Sequence, residues 1–251
     1  SVDDATTVFR REPSIVRALA PLTRLGLGYL ALGQPLSTLS GGEAQRLKLA
    51  RAISEAGPGT MFLLDEPSAG LHAEEILKLN EALDDLIRAG ASVVVVEHDL
   101  DVVAASDWVI DLGPGAGTEG GCVVAEGTPT DVAKTDTRTG IALAEAMGER
   151  ARSSAKVLKK KPIQRASYEA AIGVENAREH NLAEISTKIP HGKIVVVTGP
   201  SGSGKSTLAF DVVFAEGQRR FLETLTPYAR QFLPTLPRPD VDRVTGVPPS
   251  I

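Results

Sequence analysis

One eight-residue string constrains this chain more than any other: Gly199-Pro200-Ser201-Gly202-Ser203-Gly204-Lys205-Ser206. It follows the β-branched run Ile194-Val195-Val196-Val197 and precedes a segment that reads as a helix from Thr207 and Leu208 onward. The string satisfies G-x-x-x-x-G-K-[ST] with a strand before it and a helix after it, the context that gives the pattern meaning. Small side chains let backbone N–H groups close around an anion, and a helix N-terminus adds a favourable dipole. Gly199, Ser201, Gly202, Ser203 and Gly204 are therefore expected to line a phosphate cradle, with Thr207 opening the helix. In such a cradle Lys205 reaches the β- and γ-phosphates and the Ser206 hydroxyl ligates Mg²⁺. The expected fold is α/β of the P-loop NTPase class, a mostly parallel sheet with flanking helices.

The rest of the chain agrees with that class. Met61-Phe62-Leu63-Leu64 and Ser92-Val93-Val94-Val95-Val96 read as buried strands. Between them Ile76, Leu79, Leu83, Leu86 and Ile87 recur at helical spacing from Glu74 to Arg88, with Gly90 where a C-terminal cap belongs. A strand, a helix and a strand in that order predict a parallel crossover. Trp108-Val109-Ile110 and Cys122-Val123-Val124 flank a glycine-rich turn and read as closing strands, a small antiparallel part.

Composition narrows the function classes. A formal charge of −5 over 251 residues argues against a globally basic nucleic-acid binder, and 4% aromatics argue against a base-stacking surface. Cys122 is the single cysteine, which removes internal disulfides and Cys₄ or Cys₂His₂ zinc sites from this stretch and suits a reducing cytosol. No apolar run approaches the roughly 18 residues of a membrane span. The start Ser1-Val2-Asp3-Asp4 does not read as a signal peptide, and the lack of an initiator Met points to an excerpt of something longer. Arg150, Arg152, Lys156, Lys159, Lys160, Lys161 and Arg165 form a block without acids. Such a block reads as a solvated linker, with phosphate contact as the alternative.

Two further clusters carry chemistry. The strand at 61–64 delivers Asp65 and Glu66 at its end. Asp65 is suited to hold a metal, directly or through water, and Glu66 to orient or deprotonate an attacking water. Two acids ending a strand are also ordinary solvated surface. Upstream, Ser40-Gly41-Gly42 opens an apolar-periodic helix with Leu47, Leu49, Ala50 and Ile53 directed inward. That start offers a hydroxyl and unhindered N–H groups to an anion, and with Glu43 it is equally a capping box. Gly115-Ala116-Gly117-Thr118-Glu119-Gly120 fits G-x-G-x-x-G, but a strand and not a helix follows, so a dinucleotide site is not expected there. Tyr168 is read either as a stacking partner for adenine or as core.

Taken together, Leu39-Ser40-Gly41-Gly42-Glu43-Ala44-Gln45-Arg46, the apolar strand to Asp65-Glu66-Pro67 and the strand to Glu97-His98 resemble the ABC-type ATPases. Ser40-Gly41-Gly42 matches their signature motif, Asp65-Glu66 the Walker B pair, and Ser68-Ala69-Gly70-Leu71-His72 the D-loop. His98 matches the switch histidine that senses the γ-phosphate, and residues 199–206 match Walker A. Longer strings resemble the UvrA family, damage-sensing ATPases of bacterial nucleotide excision repair. They include Leu25-Gly26-Leu27-Gly28-Tyr29-Leu30, Asp107-Trp108-Val109-Ile110-Asp111-Leu112-Gly113-Pro114 and Ala215-Glu216-Gly217-Gln218-Arg219-Arg220. Ala209-Phe210-Asp211 and Tyr228-Ala229-Arg230-Gln231-Phe232 belong with them.

The resemblance implies catalytic roles for Glu66 and His98, and nucleotide contact by Gly199, Ser201 to Thr207 and Ser40 to Gly42. It implies Mg²⁺ at Ser206 and Asp65. It also implies ATP as ligand, double-stranded damaged DNA and a UvrB-like protein as partners, a homodimer, and a cytoplasmic place without a membrane. The family's zinc has no ligands in this chain. Another ABC ATPase, such as a drug-resistance paralogue, is the alternative enzyme. A non-catalytic, nucleotide-gated DNA-binding module is the alternative of another class. DNA contact rests on the resemblance alone, because Arg219, Arg220, Arg230, Arg238 and Arg243 are interleaved with Glu216, Glu223, Asp240 and Asp242.

The motif order is unusual. A complete ABC module runs Walker A, signature, Walker B, whereas here the signature and Walker B come first. Residues 1–148 are thus expected to be the C-terminal half of one module, 149–167 a basic linker, and 168–251 the N-terminal half of another. On that division Asp65 and Glu66 belong with a P-loop outside the chain, and Ser40-Gly41-Gly42 covers nucleotide held at Lys205. The isolated chain is then expected to bind nucleotide weakly and hydrolyse it poorly.

Overall fold

A computed structural model describes residues 1–153, 171–224 and 237–248. Tyr168, the segment 228–232 and Lys156 to Arg165 of the basic block lie outside the described residues. The chain opens with α1 (Val2–Val8), α2 (Pro13–Arg24) and α3 (Gly41–Glu55). Then follow β1 (Met61–Asp65), α4 (Ala73–Arg88), β2 (Ser92–Val96), α5 (Leu100–Ala105) and β3 (Trp108–Gly113). Next come β4 (Cys122–Gly127), α6 (Pro129–Val132), α7 (Arg138–Ser153), β5 (Ala171–Ala177), β6 (Ile185–Pro190) and β7 (Ile194–Thr198). A π-helical segment at Thr207–Phe214 leads into α8 (Ala215–Thr224), and β8 (Val241–Thr245) completes the described residues.

The local pattern explains the central crossover. β1 and β2 pair in parallel, Asp65 opposite Val96, through α4. α4 buries Ile76, Leu79, Leu83, Leu86 and Ile87, the stripe read from their spacing. It ends as a Schellman motif: Gly90 N–H donates to the Ile87 carbonyl (3.0 Å) and Ala91 N–H to Leu86 (3.1 Å). Gly90 takes φ +91°, which a side chain would resist.

The main sheet has the order β1-β2-β7-β3-β4, parallel except for β4, which pairs antiparallel with β3. β7 comes from the rear of the chain and lies between two strands from the front. Strands of the front and rear parts thus share one sheet. The physical reason is burial. Every residue of β2 and of β7 is buried, so both faces and both edges of each strand need partners. Ile194 to Val197 find them in Val93 to Val96 on one side and Trp108 to Ile110 on the other, with Thr198 beside Asp111. Fully burying one such valine contributes roughly 1.5 to 3 kcal/mol.

Side chains alternate along these strands and divide the core in two. Val93, Val95, Val109 and Val196 pack on one face with Leu79, Leu83, Leu86 and Leu143. Val94, Val96, Val195 and Val197 pack on the other with Leu208, Val212, Val213, Ile172 and Ile189. The second face is closed by a three-stranded antiparallel sheet of order β6-β5-β8. No helix among the described residues is long and apolar enough to cross a membrane.

Candidate functional site

The glycine-rich loop leaves the end of β7, in the middle of the main sheet. Gly199 has φ +130°, and a Cβ there would stand 1.9 Å from the Leu112 carbonyl oxygen, so the loop can pass β3 this closely only with glycine. Lys205 folds back over its own loop and donates to the carbonyls of Gly199 and Pro200, both at 3.0 Å. It is nearly buried, and desolvation lowers its pKa while Glu66, Asp65 and Asp111 pull the other way. Ser203 Oγ is fully buried with no hydrogen-bond partner. Ser206 is exposed and its hydroxyl makes no capping bond, so it is available to a ligand. Thr207 begins the π-helical segment, a form found mostly as short pieces and often at functional sites.

The G-x-G-x-x-G string has a different use from the one its pattern suggests. It forms a short 3₁₀ turn, Gly117–Glu119, and then enters β4, as the following strand requires. Gly117 N–H donates to the Gly202 carbonyl and Gly121 N–H to the Ser203 carbonyl, each at 3.0 Å. The Asn181 amide adds a bond to the Gly202 carbonyl at 2.8 Å. The phosphate-type loop is therefore braced from behind by a second glycine loop.

Because β7 sits beside β2, the acids at the end of β1 share the site with Lys205. The Asp65 carboxyl is held above its ordinary value, first by desolvation and then by Glu66, with Lys205 opposing. Glu66 adopts φ +43°, a left-handed conformation that costs a non-glycine residue energy and clusters at functional sites. Its N–H continues the ladder to the Val96 carbonyl at 2.9 Å. His98 Nδ1 lies 3.6 Å from Glu66 Oε1. Lys205, Asp65, Glu66 and His98, read from distant parts of the sequence, thus meet at one end of one sheet.

Ser40, Gly41 and Gly42 stand at the start of α3. Ser40 Oγ accepts from Glu43 N–H at 3.3 Å and Ser40 N–H donates to Glu43 Oε2 at 2.7 Å, so the capping box is formed. α3 is tied to the end of β1 through Gln45, whose amide donates to the Asp65 carbonyl at 3.1 Å. Between them lies a cavity of about 550 Å³ lined by Gly41, Gln45, Leu63, Asp65 and Phe210.

Three residues escaped the sequence reading. Glu97 is completely buried beyond the end of β2. Asp111 is buried in β3, its carboxyl raised by desolvation and bonded by the Thr139 hydroxyl at 2.9 Å. Asn181 holds the loop as described. A carboxylate directly after four buried valines is the one signal that singles out Glu97. The arginines considered for DNA are in part spent locally: Arg219 and Arg220 both donate to the buried Glu216 carboxylate, and Arg220 also to the Val247 carbonyl at 3.2 Å. Among the described residues no group of three His, Cys, Asp or Glu side chains could hold a metal, so an ion at Ser206 and Asp65 would draw further ligands from a nucleotide.

No protein-family model matches the chain. The chain is 40% identical over 252 residues to "UvrABC system protein A" of Chlamydia trachomatis, an alignment covering 99% of this chain and 14% of that protein. It is 41% identical over 216 residues to the protein of that name from Thermus thermophilus, covering 84% of this chain and 21% of the relative. The crystal structure of UvrA2 from Deinococcus radiodurans matches with a TM-score of 0.56 at 51% identity, over 58% of this chain and 18% of that one. The chain therefore spans only about a seventh to a fifth of the length of these relatives. The chlamydial alignment runs through both parts of the chain, signature side and P-loop side, in the order found here.

Proposed function

We propose, for a chain that belongs to the UvrA family of ABC-type ATPases, that it supplies a nucleotide site of a DNA-damage recognition ATPase. The observation that supports this is the insertion of β7 between β2 and β3, which sets the P-loop lysine among the Walker B acids. The buried, unpartnered Ser203 Oγ and the loop that only glycine permits at Gly199 fit a phosphate ligand.

In this reading Gly199, Ser201, Gly202, Ser203, Gly204 and Thr207 hold the phosphates of ATP. Lys205 exchanges its two loop carbonyls for phosphate oxygens, stronger partners for an ammonium group. Ser206 and Asp65 hold Mg²⁺, which when bound neutralises phosphate charge. Glu66 orients or deprotonates the attacking water, and His98, 3.6 Å away, senses the γ-phosphate side. Ser40, Gly41 and Gly42 cover the nucleotide of a second module or a second copy.

The whole protein would then hydrolyse ATP in the cytoplasm while acting on damaged double-stranded DNA and a UvrB-like partner. Residues 1–148 and 168–251 keep their assignment as halves of modules, joined through 149–167. The chlamydial alignment supports a natural tandem arrangement in which the end of one module precedes the start of another.

The test is Mg-ATP binding and turnover by this chain, beside Lys205→Ala and Glu66→Gln. Loss of the charge-assisted bonds of Lys205 should weaken binding roughly ten- to a hundredfold. Glu66→Gln should keep the affinity and lower turnover roughly a hundredfold or more. Binding that survives Lys205→Ala unchanged would sink the assignment.

A further inference from the structure

The buried carboxylate of Glu97 has no part in the roles above, yet it joins the two loops that carry them. We propose that Glu97 is a positioning residue that clamps the loop after β1 to the loop after β2, and so fixes Glu66 and His98 relative to each other. The proposal rests on the reading of those two residues only for its effect on turnover.

The geometry is specific. Glu97 Oε1 accepts from Ser68 N–H at 2.9 Å, in the loop that begins with Glu66. Glu97 Oε2 accepts from His98 N–H at 2.7 Å and from Asp99 N–H at 3.0 Å, in its own loop. Glu97 N–H meanwhile donates to the Val197 carbonyl at 3.0 Å, so the residue is pinned to the end of β7, where the P-loop departs. Its side chain has zero exposure, and Ser68 is buried with it.

The chemistry calls for a carboxylate. Both ends of the side chain must accept, because all three partners are backbone N–H groups. Glutamine has the same shape but accepts at one end only, so in Glu97→Gln one loop faces an NH₂ group and loses its partner. Aspartate keeps both acceptors but is one methylene shorter, and it cannot span from β2 to Ser68 while holding His98 and Asp99. A buried N–H left without an acceptor is expensive, so the loop that loses its bond has to move. The strained φ of Glu66 makes the loop after β1 the one with most to release.

Two measurements test the clamp on this chain. Amide hydrogen exchange reads it without any catalysis. In Glu97→Gln and Glu97→Asp, protection at Ser68 should fall together with loosening around Glu66, while the amides of the P-loop exchange as before. Mg-ATP turnover reads the consequence: kcat should fall roughly ten- to a hundredfold, the effect of a displaced catalytic group, with nucleotide affinity within roughly threefold of the parent. Unchanged exchange at Ser68 in the folded Glu97→Asp protein would overturn the clamp, and so would parallel losses of affinity and turnover. If the parent chain alone shows no turnover, as its incomplete set of motifs allows, the exchange result at Ser68 by itself decides the role of Glu97.

Discussion

Val95 and Val196 are register partners in adjacent parallel strands, although one belongs to the signature side of the chain and the other to the P-loop side. Four such pairs bind β7 to β2 and four more bind it to β3. The backbone hydrogen bonds of β7 and the apolar contacts of Ile194 and Val196 are thus made with the other part of the chain, while Val195 and Val197 also pack on Ile172, Ile189 and Leu208 of its own part.

A cut between the two parts should therefore leave them together. With a protease site introduced at 160–161, the cleaved chain is expected to elute as one complex at micromolar concentration, because separation would strip a fully buried strand of both neighbours. Val196→Asp, which puts a charge into that contact, should cost about 3 kcal/mol or more and release the fragments after cutting. Size-exclusion chromatography with mass detection checks both. Fragments of the parent sequence that run apart would show that the two parts do not share a sheet.

Stability should depend on pH through Asp111. Desolvation raises its carboxyl above the ordinary aspartate value in the fold, so the native state prefers it protonated. Its contribution is then fully present below the ordinary value and is lost as pH rises through the displaced one. Asp111→Asn keeps an acceptor for the Thr139 hydroxyl and removes the titration. The variant should be more stable than the parent at neutral pH, on the order of 1 kcal/mol, with the gap closing in acid. Urea unfolding across pH measures this.

Most of the strands and helices were legible because they are regular. Four valines in a row at 93–96, and Ile-Val-Val-Val at 194–197, have no stable place except a central strand, and the stripe from Ile76 to Ile87 fits only a helix. The P-loop, the Walker B pair and His98 were legible as motifs. What sequence could not give was the partner of β7, since a buried strand announces that it needs neighbours without saying which. Gly121 and Asn181 were invisible for a related reason. Their contacts with the P-loop exist only after β3, β4 and β7 have been laid side by side. Glu97 was hidden by its position beside a more conspicuous residue, His98.

The glycine brace should be sensitive to a single methyl group. Gly121 has φ +75°, and a Cβ there would stand 1.8 Å from the Asn181 carbonyl oxygen. Gly121→Ala must push that backbone away, together with the Gly121 bond to Ser203 and the Asn181 bond to Gly202. The cost should be roughly 2 to 3 kcal/mol of stability from strain and a lost bond. On the proposed function nucleotide affinity should fall as well, since the braced loop is the one proposed to hold the phosphates. Asn181→Ala removes a single bond and should lower affinity by roughly tenfold or less. Thermal unfolding and equilibrium nucleotide binding separate the two effects.

Glu216 supplies the opposite pH limb. Hydrogen bonds from Arg219, aided by Arg220, hold its carboxyl below the ordinary glutamate value, and the carboxylate is buried at the start of α8. Its stabilisation is therefore present above the ordinary value and is lost as pH falls through the depressed one. Arg220 also donates to the Val244 carbonyl at 2.5 Å, so the cluster fastens α8 to β8. Because both arginines are about a third exposed, solvent screens part of the gain, and Glu216→Gln should cost roughly 1 to 2 kcal/mol at neutral pH. The difference from the parent should shrink in acid and also shrink in molar salt, which shortens the reach of exposed charges to about 3 Å. If the parent chain binds DNA fragments and the variant binds them equally while losing only stability, Arg219 and Arg220 are assigned to the fold. A change in DNA affinity at unchanged stability would assign them to the nucleic-acid surface.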